Sequence, residues 1–263
     1  MRAKSACLAL MLLAGCSTPG ENRLAERDPL EKFNRGVWQF NQAVDKAALR
    51  PTTMVYRTVT PVPARRGISS ALSNLSEPFS FVNNLLQGKP KRAARNLERF
   101  LINSTIGVGG LADHATNLGV ASAGEDFGQT LAVWGANGGP YLVLPILGPS
   151  TLRDGVGQAV ALFADPYQIT KRSIGLTTTE LYGIYGAQVI IIRSNLIDSG
   201  TESFLKTSLD PYAAARSAYL QRRAAQIRDT ENDPTAGAVD DMSADSAPEA
   251  VGAEQETTPP APQ

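Results

Sequence analysis

Apolar residues recur at helical spacing through most of the chain between Asp28 and Arg228. The first stripe consists of Leu30, Phe33, Val37, Phe40 and Val44. These positions are three or four residues apart, which places them on one face of a helix. Asp28 and Pro29 are typical of a helix start, because Asp can cap and Pro suits the first turn. The residue before a proline avoids helical geometry, so we expect this helix to stop at Arg50-Pro51 and an irregular or extended segment to reach Pro63.

The same periodicity predicts several further helices, so the expected fold class is all-α. One helix is expected over 64–75, an interruption at Glu77-Pro78, and a short helix over 79–86 before Gly88. A helix is expected from Pro90 to about Asn103, and its inward-facing residues should be Ala93, Leu97, Phe100 and Leu101. Later helices are expected from Ser150 to Leu162, from Thr177 to Ile197 and from about Asp210 to Ile227.

The segment 135–150 differs from the rest because it is very apolar and yet rich in proline and glycine. Pro140, Pro145 and Pro149 exclude a regular helix, and Gly138 and Gly139 permit sharp bends. Its weak alternation at 141–147 is the nearest approach to a strand pattern. Two interpretations stay open: a buried loop that connects helices, or a loop at a lipid boundary or along a passage for an apolar ligand.

The first residues have the pattern of a bacterial lipoprotein signal. Arg2 and Lys4 precede a short apolar run over 6–13, and Leu13-Ala14-Gly15-Cys16 resembles a lipobox. We therefore expect a signal peptide over 1–15, acylation of Cys16, and a polar tether over 16–27; an ordinary signal peptide with a chance cysteine is the alternative. Ser17, the residue after this cysteine, resembles the signal that directs lipoproteins to the outer membrane. No apolar run reaches the roughly 18 residues that a spanning helix needs.

Charge is balanced overall but unevenly distributed. The chain has 25 basic and 25 acidic residues, and nine of the acidic ones lie in 229–263, which has no Lys or Arg. That segment also lacks Leu, Ile and aromatic residues, so we predict a disordered acidic tail. The zero net charge gives no basic field for nucleic acid. One His and two Cys do not suffice for a His/Cys zinc site or an iron–sulfur site, and no cofactor or metal is expected.

A cluster of basic residues marks the start of the helix that begins at Pro90. It comprises Lys89, Lys91, Arg92, Arg95 and Arg99. Cations are disfavoured at a helix N-terminus, which makes the cluster unusual. It is either a solvated basic face or a contact for anionic lipid headgroups or an acidic partner surface.

No arrangement of residues typical of an enzyme is evident. Gly107-Val108-Gly109-Gly110 lacks the spacing of a phosphate loop. A serine hydrolase could be imagined only from Ser104, Ser150, His114 and Asp154. There is no nucleophile elbow, however, and His114 beside Asp113 is more typical of a helix cap or a surface position. We therefore expect that the protein is not an enzyme.

Several long motifs between Asp28 and Arg228 resemble the VacJ/MlaA family of outer-membrane lipoproteins. They are DPLEKFNR (28–35), NLSEPFSFVNNLLQGK (74–89), RFLINSTIGVGGLAD (99–113) and EDFGQTLAVWGANGGPYLVLPILGPSTLRD (125–154), together with the shorter FN (40–41), LRP (49–51) and DPY (165–167). The resemblance implies a ring-like helical domain over 28–228 that lies in the inner leaflet of the outer membrane and encloses an amphipathic channel. It further implies removal of mislocalised phospholipids from the outer leaflet, transfer to a soluble periplasmic carrier, and association with trimeric porins.

This resemblance also suggests where a lipid path would lie. The candidate helix positions are Phe33, Asn34, Phe40, Asn41, Asn83, Asn84 and Asn103. The candidate loop positions are Gly138, Gly139, Pro140, Leu142, Leu144 and Pro145. Two other functions stay open: a structural lipoprotein that organises porins without lipid transfer, and a periplasmic phospholipase.

Overall fold

The computed structural model describes residues 23–164, 175 and 177–230. The predicted signal peptide, Cys16, the DPY motif at 165–167 and the acidic residues from 231 onward lie outside the described residues. The first helices are α1 (Arg23–Arg27), α2 (Glu31–Val44), a π-helical turn (Asp45–Leu49), α3 (Arg50–Val59), α4 (Val62–Leu86), α5 (Pro90–Thr105), α6 (His114–Asn117) and α7 (Phe127–Val133). A hairpin of β1 (Tyr141–Leu144) and β2 (Gly148–Thr151) then precedes α8 (Leu152–Ala164), α9 (Thr178–Asp198), α10 (Thr201–Thr207) and α11 (Pro211–Ile227).

The prediction of a mostly helical fold is confirmed. Antiparallel pairing puts Tyr141 opposite Thr151 and Leu144 opposite Gly148. The hairpin lies inside the segment that we expected to be irregular. The prolines and glycines that exclude a helix in that segment thus belong to a hairpin with a tight turn at its tip.

The predicted helix stop at Arg50-Pro51 is wrong, because the chain stays helical to Val59. The π-helical turn immediately before Pro51 changes the register of backbone pairing, and Arg50 N–H donates to Asp45 O. Pro51 then lies in the first turn of α3, where a missing N–H costs nothing. The expected irregular segment shrinks to the extended residues Thr60 and Pro61.

The predicted interruption at Pro78 is also wrong. α4 runs for 25 residues with Pro78 inside it. Asn74 and Glu77 before the proline, and Asn84 after it, all hydrogen-bond to side chains of α5. Both halves of α4 are thereby held against the same neighbour, and these tertiary contacts override the local cost of the proline.

Polar side chains fill the interior of this fold, and large apolar ones face outward. Among the described residues, eight hydrophobic side chains are buried, four of them alanines, against twenty polar or charged ones. α5 shows the pattern clearly: Asn96, Arg99 and Asn103 are buried, whereas Leu97 and Leu101 are 47% and 52% exposed. The prediction that these two leucines point inward is wrong, although Ala93 is buried as expected. Such an arrangement inverts the usual distribution in a water-soluble domain.

Arg99 is the centre of the largest buried polar network between α4 and α5. Its Nε donates to Glu77 Oε1 at 2.9 Å, and Nη2 donates to both oxygens of Asp113 at 3.1 and 3.2 Å. Nη1 donates to Thr116 Oγ1 and to the carbonyl of Val120. Every group of the guanidinium is thereby paired, as a buried charge requires.

The carboxylate of Asp113 is held ionised by the same network. Burial alone would raise the pKa of Asp113, but hydrogen bonds from Thr116 and Asn103 and the charge of Arg99 lower it to about 2. Asp113 also caps α6 by accepting from Thr116 N–H. The loop from Asp113 to Ala123 is therefore tied to the helix pair at several points.

No helix within the described residues is long and apolar enough to cross a membrane. Contiguous exposed apolar surface is typical of a lipid or partner contact.

Replacing Arg99 should be far more costly than replacing its exposed-face neighbour. Arg99→Met leaves the carboxylates of Glu77 and Asp113 without their buried partner, and we expect a loss of about 3–5 kcal/mol in unfolding free energy. Arg95→Met is the matched control and should change it by about 0.5 kcal/mol or less. Urea unfolding followed by circular dichroism in detergent micelles measures both. Equal effects of the two substitutions would contradict the assigned role of Arg99.

Candidate lipid-facing site

An open apolar depression lies where α2 meets the tip of the hairpin. It is lined by Lys32, Phe33, Gly36, Val37, Phe40 and Pro145 and has a volume of about 450 Å³. Phe33 and Phe40 are 59% and 52% exposed, so this part of the apolar stripe predicted on α2 faces outward, whereas Val37 packs against the core. The lining carries one charged side chain, that of Lys32, and is otherwise apolar. The depression therefore suits an acyl chain chemically.

Two asparagines of α2 hold the hairpin beside this depression. Asn34 Nδ2 donates to the carbonyl of Tyr141, and Asn34 Oδ1 accepts from the N–H of Val143, both at 2.9 Å. Asn41, seven residues further along α2, donates to the carbonyl of Leu144 at 3.0 Å and accepts from Ile146 N–H at 2.8 Å. The two amides pair with the free edge of β1 as a neighbouring strand would.

The hairpin presents different chemistry on its two faces and at its tip. Tyr141 and Val143 are buried, whereas Leu142 and Leu144 alternate with them and are half-buried. Ile146 and Leu147 at the tip are exposed, and Ile146 adopts a left-handed backbone with φ of 66°. The segment therefore combines both interpretations left open by its sequence, since one face packs inside and the tip remains at the surface.

The base of the hairpin is closed against α8. Leu152 N–H donates to the carbonyl of Pro140, and Arg153 N–H donates to that of Gly138. Gly139 has a φ of 68°, and a Cβ there would lie 3.1 Å from Leu152 Cβ. Gly138, Gly139 and Pro140 thus fix the start of the hairpin.

The other candidate asparagines lie in the interior rather than beside the depression. Asn83 accepts from Thr130 Oγ1, Asn84 donates to Asn96 Oδ1 and to the carbonyl of Ala123, and Asn103 accepts from Ala115 N–H. Each ties a connecting loop or helix to α4 or α5. The structure therefore brings Phe33, Phe40 and Pro145 together at one surface, whereas Asn83, Asn84 and Asn103 bind loops elsewhere.

Asp28 has a different role from the helix cap that the sequence predicts. It does not cap α2, whose first turn has no side-chain cap; it is buried with a left-handed backbone. Its carboxylate accepts from Asn34 Nδ2 at 2.9 Å, from the Tyr212 hydroxyl and from Arg216 at 2.9 Å. Asp28 thus connects the hairpin clamp to α11. An Asp before a Pro is typical of a helix cap, and no nearby residue in the sequence indicates that the Asp28 side chain is buried instead.

A second charged cluster, also unrecognised in the sequence, joins α7, α8 and α11. Arg223 pairs with Asp154 at 2.8 Å and with Asp126, while the Tyr219 hydroxyl donates to Asp154 Oδ2 at 2.6 Å. Burial would raise the pKa of Asp154, but the charges of Arg223 and Arg153 keep it below its usual range. Gly128 has no room for a side chain, since a Cβ would lie 2.5 Å from Arg223 Nη2.

The predicted basic cluster is divided between interior and surface. Arg99 is buried and fully paired, as described above, so it does not face an outside ligand. Lys89 lies 2.7 Å from Asp229, and Arg92 lies 3.1 Å from Glu125. Lys91 is exposed and Arg95 half-buried. Burial raises the pKa of Glu125 to about 7, against the opposing effects of Gln87 and Lys89.

The residues considered for hydrolase chemistry have other partners. Ser104 accepts from Asn74, Ser150 is buried and donates to the carbonyl of Thr151, and Asp154 accepts from Tyr219 and Arg223. His114 begins the short helix α6 and is half-buried, and its neighbour Asp113 caps that helix. Ser150 does not cap α8, since Thr151 Oγ1 accepts from Asp154 N–H instead.

Together, the outward apolar faces and the polar interior define a helical protein suited to contact with lipid. Residues 26–226 match the family model described as MlaA lipoprotein. The chain is 35% identical over 253 residues to the intermembrane phospholipid transport system lipoprotein MlaA of Escherichia coli, covering 92% of this chain and 96% of that protein. It therefore belongs to the MlaA lipoprotein family.

Two further similarities agree with this assignment. The MlaA lipoprotein of Haemophilus influenzae is 33% identical over 233 residues, covering 86% of this chain and 90% of that protein. A solved structure, described as the structural basis for maintenance of bacterial outer membrane lipid asymmetry, is 38% identical with a TM-score of 0.64. The match covers 76% of this chain and 98% of that one.

Removing the Asn34 amide should release β1 locally. In Asn34→Ala the carbonyl of Tyr141 and the N–H of Val143 lose a buried partner, which costs about 1–3 kcal/mol. Hydrogen exchange at the Val143 amide should accelerate about tenfold or more, whereas the exposed same-helix control Gln42→Ala should leave it unchanged. Protection at Val143 that is the same in all three proteins would show that the clamp does not hold the strand.

Proposed function

We propose that this protein is an outer-membrane lipoprotein that takes mislocalised phospholipids from the outer leaflet and passes them toward the periplasm. The observation that carries the proposal is the outward placement of apolar side chains on helices that cannot span a bilayer. A protein that lies in one leaflet needs such faces, and its polar contacts must then be satisfied internally. The names of the relatives, phospholipid transport and lipid asymmetry, support the same function.

We place the acyl-chain contact at the depression between α2 and the hairpin tip. Phe33, Phe40 and Pro145 supply apolar surface there. Leu142 and Leu144 are half-buried on β1, the strand that leads to Pro145. Asn34 and Asn41 act indirectly, since their amides are engaged in positioning the hairpin. The buried amides of Asn83, Asn84 and Asn103 support the scaffold.

We further propose a soluble periplasmic carrier as the acceptor of the lipid and trimeric porins as membrane partners. Acylation at Cys16, after removal of residues 1–15, would anchor the protein to the inner leaflet of the outer membrane, and residues 16–27 would tether the helical domain. A multiply acylated cysteine gives stable anchoring. Lys91, which is exposed, and Arg95, which is half-buried, supply positive charge for a headgroup or an acidic partner surface.

Lipid transfer without chemistry is favoured over phospholipase activity. The hydroxyl of Ser150 is buried and the carboxylate of Asp154 is bound by Tyr219 and Arg223. Serine attack requires a base within hydrogen-bond reach of the hydroxyl. Labelling by a serine-reactive probe, accompanied by release of lysophospholipid, would instead favour the enzyme.

Deletion of the gene should increase phosphatidylethanolamine in the outer leaflet. A membrane-impermeant amine label on intact cells measures that lipid directly, and the wild-type gene should restore the low level. No increase in the deletion strain would favour the alternative of a lipoprotein that only organises porins.

Charge on the half-buried face of β1 should block lipid transfer. Leu142→Glu or Leu144→Glu places a carboxylate on the half-buried face of the strand that leads to Pro145, where an acyl chain that passes the hairpin would meet a charge. We expect surface phosphatidylethanolamine at the level of the deletion strain, with normal protein abundance and outer-membrane localisation. Gln221→Glu, at an exposed polar position of α11, is the control and should behave as wild type. Full complementation by folded Leu142→Glu and Leu144→Glu proteins would overturn the placement of the path.

A further inference from the structure

The end of α11 meets the start of α5 in a group of charged side chains. We name Lys89, Lys91, Arg92, Arg95 and Arg228 the cationic corner. Asp229, which follows α11, enters this corner: Lys89 Nζ lies 2.7 Å from Asp229 Oδ2, and Arg92 Nη2 lies 3.4 Å from Asp229 Oδ1. An acidic residue of the C-terminal segment is therefore already bound there.

Asp229 occupies this position against its local preferences. Its φ is 59°, in the left-handed region that Gly or Asn usually fills after a helix, and its N–H donates to the carbonyl of Gln226. A carboxylate at the C-terminal end of a helix is also disfavoured by the helix dipole. Contacts with Lys89 and Arg92 offset both costs. The chain thus leaves α11 directly at the cationic corner.

The corner keeps positive charge after these contacts are made. Glu125 and Asp229 face Lys89 and Arg92. Within the part of the chain that the structure describes, no ion pair forms at Lys91, Arg95 or Arg228. Lys91 and Arg95 are one helical turn apart on α5, so their charges repel each other. An acidic chain segment would relieve this repulsion.

The residues that follow Asp229 have the complementary charge. Segment 231–263 contains no Lys or Arg. Its acidic residues are Glu231, Asp233, Asp240, Asp241, Asp245, Glu249, Glu254 and Glu256. Attachment at the corner itself gives these carboxylates a high effective concentration there, so that even weak, salt-sensitive pairs favour contact.

We propose that the cationic corner is the docking surface of the chain's own acidic segment, residues 231–263, with Asp229 as its first bound residue. The docked segment would mask Lys91 and Arg95 from anionic phospholipid headgroups, and those headgroups would compete with it. The docking itself is independent of the proposed function, and only this competition rests on it.

Zero-length carbodiimide cross-linking of the full-length, acylated protein in neutral detergent micelles tests the docking. This reagent joins a lysine amine to a carboxylate only when the two are in contact. Lys89 and Lys91 should couple to carboxylates of 231–256 several-fold more than exposed Lys32 on α2 does, and high salt should abolish the difference. Mixing isotope-labelled and unlabelled protein identifies products within one chain. Even coupling of all three lysines, or products formed only between chains, would overturn the proposal.

Matched variants separate the corner from general attraction. Arg95→Gln with Arg228→Gln should reduce coupling at Lys91 several-fold, and because neither arginine forms an ion pair with another described residue, the pair of substitutions should not affect folding. Arg222→Gln, an exposed cation on α11 outside the corner, should leave coupling unchanged. Equal loss in both variants would contradict a specific docking surface.

Adding phosphatidylglycerol to the micelles tests the masking step. Coupling at Lys91 should fall as the anionic lipid is added and should stay constant with phosphatidylcholine. Unchanged coupling with phosphatidylglycerol would overturn the masking step. It would not affect the docking, which the cross-linking tests, or the proposed function, which the assay of surface lipid in cells tests.

Discussion

The pairing of Arg99 with Glu77 and Asp113 is the constraint on which the helical scaffold depends. A buried guanidinium must have partners for all of its donors, and here they come from α4, from the loop before α6 and from the backbone at Val120. The positions of these partners determine which face of α5 points inward. Leu97 and Leu101 on the opposite face are then directed outward. The outward apolar surface is thus a consequence of where the polar side chains find partners.

The hairpin is held by the same principle on a smaller scale. Asn34 and Asn41 satisfy backbone groups at the edge of β1, and Asp28 connects Asn34 to Tyr212 and Arg216 on α11. The exposed tip therefore extends from a strand that is held both by these hydrogen bonds and by the buried side chains of Tyr141 and Val143. Side-chain amides allow this because each offers a donor and an acceptor to the same strand.

Periodicity predicted the helical class and the bounds of α5, α9 and α11 closely. Thr177 and Asp210 cap α9 and α11, and α5 begins at Pro90. It misplaced the breaks at Pro51 and Pro78, where a π-helical turn and contacts with α5 override a local signal. It also reversed the orientation of α5, because amphipathicity shows that two faces differ and does not show which one meets water. The roles of Asp28 and Arg223 depend on partners more than 90 residues away in the chain, which no local pattern reveals. Long motifs, in contrast, were enough for the family.

The central claim is that the apolar faces of helices such as α5 contact lipid while their polar faces do not. Nitroxide labels at Leu97, Leu101 and Lys91, introduced singly into the acylated protein in bilayers, test it through collision with oxygen or with a water-soluble nickel chelate. Labels at Leu97 and Leu101 should collide preferentially with oxygen, which concentrates in the bilayer, and the label at Lys91 with the chelate. Preferential collision of the Leu97 and Leu101 labels with the chelate would show that these faces meet water, and the account would be wrong.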